Sequence, residues 1–396
     1  MLRSPSGRSS AADSVPSRGR LEFIDAAQNS AMLFVLLSHF AFNYFSKDDA
    51  ALSLMTLVGM IASPTFVIIN GMLLGVFYRT RTRDFERFRT IVTDRGLFLL
   101  TVGHFLVLLS HATYAVRFVS ITDAVGVCML ISPWLVTTLT PRARLLLSLA
   151  AYALTLLVVL YWNPTRHYPL VLKETFFGRI GPGVYVYAFP ILPWFALDLA
   201  ATVLGERLGA CSAQGNARAM HRLLHQTAVV SAGIAVVLNL MYHAVRQHGY
   251  ATALATHEVG SPFAKTPPSL VYFLFYGSLG LVLISVCLRL ASNDRMAGVY
   301  RGLVTIGQTS FAVFVMQFFV YFTVLHAMRP HLPWAWAWPV YFALSIVATL
   351  VPALGWRRAG YNRFLTVGYR RLSQELGGQA VREQAHAGEL PASFSH

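Results

Sequence analysis

Apolar residues fall along this chain in blocks of about twenty, parted by short polar gaps, and a block of that length crosses the hydrocarbon core of a bilayer as one helix. Ten blocks are read, at roughly 26–46, 51–78, 96–112, 119–138, 145–162, 184–206, 226–245, 268–288, 303–326 and 334–355. The pattern predicts an all-α, polytopic integral membrane protein. The second block is long enough to be tilted or broken. Pro64 is expected to kink it, because proline removes a backbone donor and crowds the preceding turn. Residues 1–20, rich in Ser and Arg, read as a disordered cytoplasmic arm, 21–371 as the membrane domain and 372–396 as a polar cytoplasmic tail. The first apolar run is longer than the core of a cleaved signal peptide.

Composition agrees. The chain is 55% hydrophobic and 12% charged, with a mean hydropathy of +0.53, where soluble domains carry about 25% charged residues. The net charge of +15 does not mark a nucleic-acid binder, because the arginines recur in the gaps between apolar runs rather than in one patch. With the N-terminus inside, 24 of the 32 Lys and Arg lie in inner segments and 8 in outer ones. That bias predicts an N-in, C-in protein of the plasma (inner) membrane, in contact with membrane lipids. Three cysteines, two of them inside apolar runs, give neither a disulfide framework nor a zinc spacing, and no metal site is expected.

The first block carries the densest chemistry. On a helix turning about 100° per residue, Gln28 and His39 lie within roughly 20° of each other, with Asn43 a turn further and Asp25 about 40° to the other side. Polar groups are costly at membrane depth, so such a stripe faces protein or a water-filled cavity and points to a site. His39, about 21 Å along the axis from Asp25, falls toward the outer end. Its imidazole suits a general base accepting a proton from a hydroxyl or amine, or a nucleophile that takes an acyl group itself. Asn43 can orient the ring or donate to a developing oxyanion. Asp123, near the outer start of the fourth span, can orient His39 if the two helices pack together. Asp198, amid apolar residues, needs a partner. Asn70, His104, His111, Asn239, His243, Gln308 and Gln317 are further polar groups inside spans.

The inner gap 79–95 is read as a loop with six arginines. Arg79, Arg81, Arg83 and Arg95 suit bidentate phosphate contacts, and equally serve as a topology signal. The outer connection 163–183 mixes aromatics, His167, Glu174 and three cations, a composition suited to a polar acceptor such as a sugar or to an interfacial anchor. A second long outer connection spans 246–267. No fixed-period repeat is detected.

These residues resemble the transmembrane acyltransferases: the acyltransferase-3 family, the glucan succinylases and the heparan-glucosaminide N-acetyltransferase-like proteins. Asp25 and His39 match the acid and histidine of the first helix in that group, and His39 with Asn43 matches the H-x-x-x-N of the succinylases. Where the group carries Arg, this chain has Gln28, with Arg20 as a neighbouring substitute. Phe189-Pro-Ile-Leu-Pro-Trp194 with Leu204-Gly205, Thr266-Pro-Pro-Ser-Leu270 and Ile306-Gly-Gln-Thr-Ser-Phe311 resemble segments of the heparan-type relatives. The resemblance implies transfer of an acyl group, in the first instance acetyl, from cytoplasmic acyl-CoA to a carbohydrate or other polar acceptor at the far face. His39, Asn43 and Asp123 would be catalytic, and Arg20, Gln28, Arg79, Arg81, Arg83 and Arg95 would contact the donor. Two other readings of the same stripe are a transporter or flippase for a small polar molecule and an acyltransferase homologue that has lost catalysis.

Overall fold

The computed structural model describes residues 22–46, 50–110, 118–179, 184–185, 187–247, 264–307, 309–332, 335–359 and 369. Arg20, the N-terminal arm and the polar tail lie outside the described residues, as do His111 and Gln308. The helices are α1 (Glu22–Tyr44), α2 (Ala50–Gly59), α3 (Ala62–Thr80), α4 (Phe85–Phe98), α5 (His104–Ser110), α6 (Ile121–Thr138), α7 (Pro141–Tyr161), α8 (His167–Phe176), α9 (Ile191–Ala213), α10 (Ala217–Gln247), α11 (Leu270–Ala291), α12 (Ala297–Gly307), α13 (Ser310–Gln317) and α14 (Trp338–Arg358). Two segments are wound as π-helix: Leu99–Gly103, joining α4 to α5, and Phe318–Leu325, continuing α13. Two short strands, β1 (Phe118–Val119) and β2 (Tyr187–Ala188), pair in parallel.

Eight of the described helical stretches are long and apolar enough to cross a membrane: Ala51–Thr80, Thr82–Leu109, Ile121–Thr138, Pro141–Tyr161, Ala217–Val245, Leu270–Ala291, Ser310–His331 and Trp338–Arg358. The other two expected blocks, α1 and α9, are helices of 23 residues that fall short of that measure. α1 carries Asp25, Gln28, Asn29, His39 and Asn43, and α9 carries Asp198, Glu206 and Arg207. Both are heavily buried, and Asp25, Asn29, Asn43 and Asp198 meet protein rather than lipid.

Register of contacts fixes the helix directions. Along α1, Asp25 packs on Gly307, Gln28 on Ser310 and His39 on Phe318 and Phe322, so α1 and the α13 segment run parallel. α3 and α9 are also parallel and approach closely through small residues four apart, Gly71 and Gly75 on one helix and Ala201, Gly205 and Gly209 on the other. A methyl group at Gly71 would overlap the Asp198 carbonyl, one at Gly75 the Thr202 carbonyl, and one at Gly205 the backbone of Met72. α11 runs with α3, its Tyr272 hydroxyl donating to the Met60 carbonyl at 3.2 Å. α6 opposes α4, with Gly126 against Gly96, and α7 opposes α9, the Ser148 hydroxyl donating to the Ala196 carbonyl at 2.6 Å. The end at which α1 begins is called the near end below, and the other the far end. The near half packs around Phe23, Ile24, Met72, Leu208, Leu224 and Ile284. In the far half, Leu36, Phe40, Val107, Phe311, Phe318 and Tyr321 form one cluster, and Tyr152, Trp194, Tyr272 and Phe273 another.

One expectation is borne out and two change. The second block is broken between α2 and α3 at Met60–Ile61, one turn ahead of Pro64. Proline cannot donate to the carbonyl four residues before it, and that freed oxygen, on Met60, is the one Tyr272 takes. The arginine-rich gap 79–95 is mostly not a loop: α4 begins at Phe85, because Phe85 and Phe88 pack back on Tyr78 and Phe77 of α3. The connection 163–183 contains the helix α8; most of 246–267 lies outside the described residues.

The close α3–α9 contact yields a stability prediction. Gly75→Leu should cost more than the ~1–3 kcal/mol of ordinary overpacking, since backbone, not a flexible side chain, fills the space. Gly233→Leu on α10, with nothing within 4 Å, should be nearly neutral. Thermal unfolding in detergent, followed by size-exclusion profile, compares the two.

Candidate functional site

The stripe on α1 resolves into separate contacts. At the near end Asp25 is 5% exposed, and the Gln28 amide donates to the Ser310 hydroxyl at 2.8 Å. Ser310 belongs to the Ile306–Phe311 segment singled out in the sequence, so two distant motifs meet here. Asn29, off the stripe, is 1% exposed, and neither atom of its amide has a hydrogen-bond partner among the described residues.

Toward the far end, His39 is half-buried between two rings, 5.7 Å from Phe318 and 5.2 Å edge-on from Phe322. Asn43 is buried one turn on, but its amide donates to the backbone carbonyl of His39 at 2.9 Å. It therefore braces the last turn of α1, in place of the expected contact with the ring.

Asp123 does not serve His39 in this arrangement. Its Oδ1 lies 3.0 Å from Nδ1 of His104, and its Oδ2 accepts from the Ser120 amide at 2.7 Å and the Ser120 hydroxyl at 3.0 Å. The local reason is legible: Ser120-x-x-Asp123 opens α6 as a capping box, which turns the carboxylate back onto the first turn of its own helix. α6 opposes α4 and α5, and that packing brings His104 alongside. The His104 side chain remains 32% exposed. In the sequence His104 is one polar residue among several within spans; the missing signal is the antiparallel register that carries it to a residue 19 positions away.

Of the arginines, Arg79 and Arg83 are exposed at the near end, Arg81 lays its guanidinium 5.3 Å over the Phe77 ring, and Arg95 is half-buried within α4. They share the near end without forming one cradle. A shallow cleft of about 520 Å³ opens between α7 and α9, lined by Thr140, Pro141, Arg142, Val203, Glu206 and Arg207.

Behind that cleft runs a buried polar row on α9. Asp198, Thr202 and Glu206, four apart, lie along one face. Asp198, fully buried, accepts from the Asn70 amide at 2.7 Å and the Ser132 hydroxyl at 2.6 Å, the partners its sequence context demanded. Arg144, also fully buried, donates to the Thr202 hydroxyl at 2.8 Å and pairs with Glu206.

At the far end a second framework surrounds α8. Lys173, 1% exposed, donates to the Asn163 side chain at 3.0 Å and the Val159 carbonyl at 3.2 Å. Burial holds its amine below the usual lysine range, the Arg179 charge adding to the effect. The Glu174 carboxylate accepts from the amides of Val184 at 2.8 Å and Tyr185 at 3.0 Å. Among the described residues no three His, Cys, Asp or Glu side chains converge as a metal site.

The bundle pairs acids with an amide, an arginine and a histidine, and ionisable groups inside a membrane bundle are the default candidates for a functional site. The catalytic-domain model of heparan-alpha-glucosaminide N-acetyltransferase matches residues 20–232, just over half of the chain, which therefore belongs to that family and is a membrane protein of acetyltransferase type. The match takes in α1 with His39, the His104–Asp123 pair and the polar row of α9. No individual curated protein matches the chain.

The α9 row makes a stability test. Arg144→Met strands Glu206 and should cost about 3–5 kcal/mol. Adding Glu206→Gln should recover part of that loss. A double variant as unstable as the two single losses summed, in thermal unfolding of the detergent-solubilised protein, would refute a coupled pair.

Proposed function

We propose that this protein transfers an acyl group, acetyl in the first instance, from acyl-CoA at the near end to a hydroxyl or amine of a carbohydrate-like or other polar acceptor at the far end. The reading takes the near end as cytoplasmic, with both termini inside, on the strength of the 24-to-8 distribution of Lys and Arg. The observation that carries it is α1: within the family-matched segment, one helix buries Asp25 and bonds the half-buried Gln28 to Ser310 at one end and holds His39 at the other. In this reading the polyanionic thioester meets α1 at the near end and the acceptor meets it at the far end.

In this reading His39 stands at the transfer point, either receiving the acyl group on its ring or taking the acceptor's proton. Asn43 keeps the turn that carries it in place. Arg79, Arg81, Arg83 and Arg95, with Arg20 and Gln28, form the approach for the donor's phosphates, for which guanidinium groups are suited by charge and fork geometry.

Native membranes containing the protein, incubated with labelled acetyl-CoA, should pass label into a glycan, lipid or small-molecule fraction, with added glucosamine as a probe. His39→Ala should reduce turnover by about 10²-fold or more while the size-exclusion profile stays unchanged, and full activity in that variant would remove His39 from the mechanism. The arginines are separable. Replacing Arg79, Arg81 and Arg83 together with Gln should raise KM for acetyl-CoA roughly tenfold, the equivalent of one lost contact of about 1.4 kcal/mol; an unchanged KM would leave them as topology signals.

A further inference from the structure

A second imidazole in the far half is built as a base. His104 opens α5 directly after the π-wound turns Leu99–Gly103, and single π-helical insertions recur where a side chain is re-aimed for function. Its Nδ1 is 3.0 Å from Asp123 Oδ1. A carboxylate only accepts, so the neutral ring donates from Nδ1 and keeps its lone pair on Nε2. Asp123 is itself held at Oδ2 by two donors from Ser120, which is 1% exposed. The ring is thus oriented by a group that is oriented in turn, the arrangement that fixes a tautomer in acid–base catalysis. About a third of the His104 side chain is left uncovered by protein.

The same apolar cluster reaches His39 and the residue before His104. Phe311 packs against Gly103, the residue before His104, while Phe318, seven positions on, packs against His39. His39 has aromatic rings on its flanks, whereas His104 has a carboxylate in line with one nitrogen. Of the two roles left open for His39, proton acceptance therefore fits His104 better.

We propose that His104, with Asp123 as its positioning residue, is the group that accepts the proton of the incoming hydroxyl or amine. The acceptor's oxygen or nitrogen bonds to the acyl carbon as its proton moves to Nε2 of His104. The bond from the acyl carbon to its leaving atom then breaks, whether that atom is the thioester sulfur or a ring nitrogen of His39, and the proton passes from His104 to the group released. The inference rests on the acyl-transfer reading above and adds to it a residue that the sequence resemblance does not supply.

The test uses the full-length protein in proteoliposomes, with labelled acetyl-CoA and glucosamine together with a native membrane extract as acceptors. His104→Ala and the similar-sized His104→Asn should lower kcat by about 10²- to 10⁴-fold, with KM for acetyl-CoA within about threefold of wild type. Asp123→Asn should lower kcat by about tenfold or more without changing that KM, because the amide can donate to Nδ1 and stabilise the wrong tautomer. Added imidazole should restore part of the turnover of His104→Ala, which a merely structural clip between α5 and α6 would not allow. A folded His104→Asn protein with kcat within about threefold of wild type would overturn the assignment. So would a loss in His104→Ala that imidazole leaves untouched and that tracks a fall in folded fraction. If the wild-type protein itself moves no label, the acyl-transfer reading fails; if wild type is active and only the variants disobey, the failure belongs to His104 alone.

Discussion

Hydrocarbon offers a polar group no partner, and that single constraint arranges this bundle. Each polar side chain at membrane depth has to find another inside the protein or forfeit about 1–3 kcal/mol or more of desolvation. α1 and α9, which carry Asp25, Asn29, Asn43 and Asp198 as buried polar side chains, lie inside the bundle with more apolar spans around them. Asp198 draws Asn70 from α3 and Ser132 from α6, and Glu206 with Thr202 draws Arg144 from α7. Four helices are thereby registered on one another by polar contacts. The Gly71–Gly75 and Gly205–Gly209 spacing lets α3 and α9 approach closely enough for this to happen.

Much of the fold was legible because bilayer thickness leaves few choices. Apolar block length located the helices, and the break before Pro64 followed from its missing donor. Less legible were features that depend on neighbours. The arginine gap reads as a loop from its charge, yet Phe85 and Phe88 turn most of it into helix by packing on α3. Within the site, the stripe on α1 was visible as a periodicity, and so was the need of Asp198 for a partner. What periodicity cannot give is which helix lies opposite. Asp123 shows this: its support for His39 is conditional on which helices pack together, and its own capping box and the α4–α6 register bring it to His104 instead, a meeting that nothing within either segment alone encodes.

The two π-wound segments have a common logic. A π turn adds one residue to the helical ladder and rotates everything after it by about a quarter turn relative to a regular helix. Leu99–Gly103 does this immediately before His104, and Phe318–Leu325 does it where Phe318 and Phe322 meet His39. Without the first, the face of α4 that packs on α6 through Gly96 would continue unchanged past residue 104. Without the second, the seam between α1 and α13 would hold one regular register from Gln28 to Asn43. Both irregularities stand next to an imidazole in the far half of the bundle.

That half also shows how a loop far from the membrane interior bears on the site. Glu174 of α8 holds the backbone of Val184 and Tyr185, just ahead of β2. β2 pairs with β1, and the Phe189 amide donates to the Val119 carbonyl at 3.1 Å. Val119 is followed at once by Ser120, whose two donors fix the carboxylate that faces His104. Each of these contacts is a backbone or charge-assisted hydrogen bond, and Glu174, Val119, Ser120 and Phe189 are buried. The connection 163–183, read from composition as a surface for a polar acceptor, is thus tied through Glu174 to the backbone just ahead of β2, and β2 through its pairing to the segment that carries Ser120 and Asp123. A ligand that shifted α8 or the segment after it would act on the orientation of that imidazole without touching it.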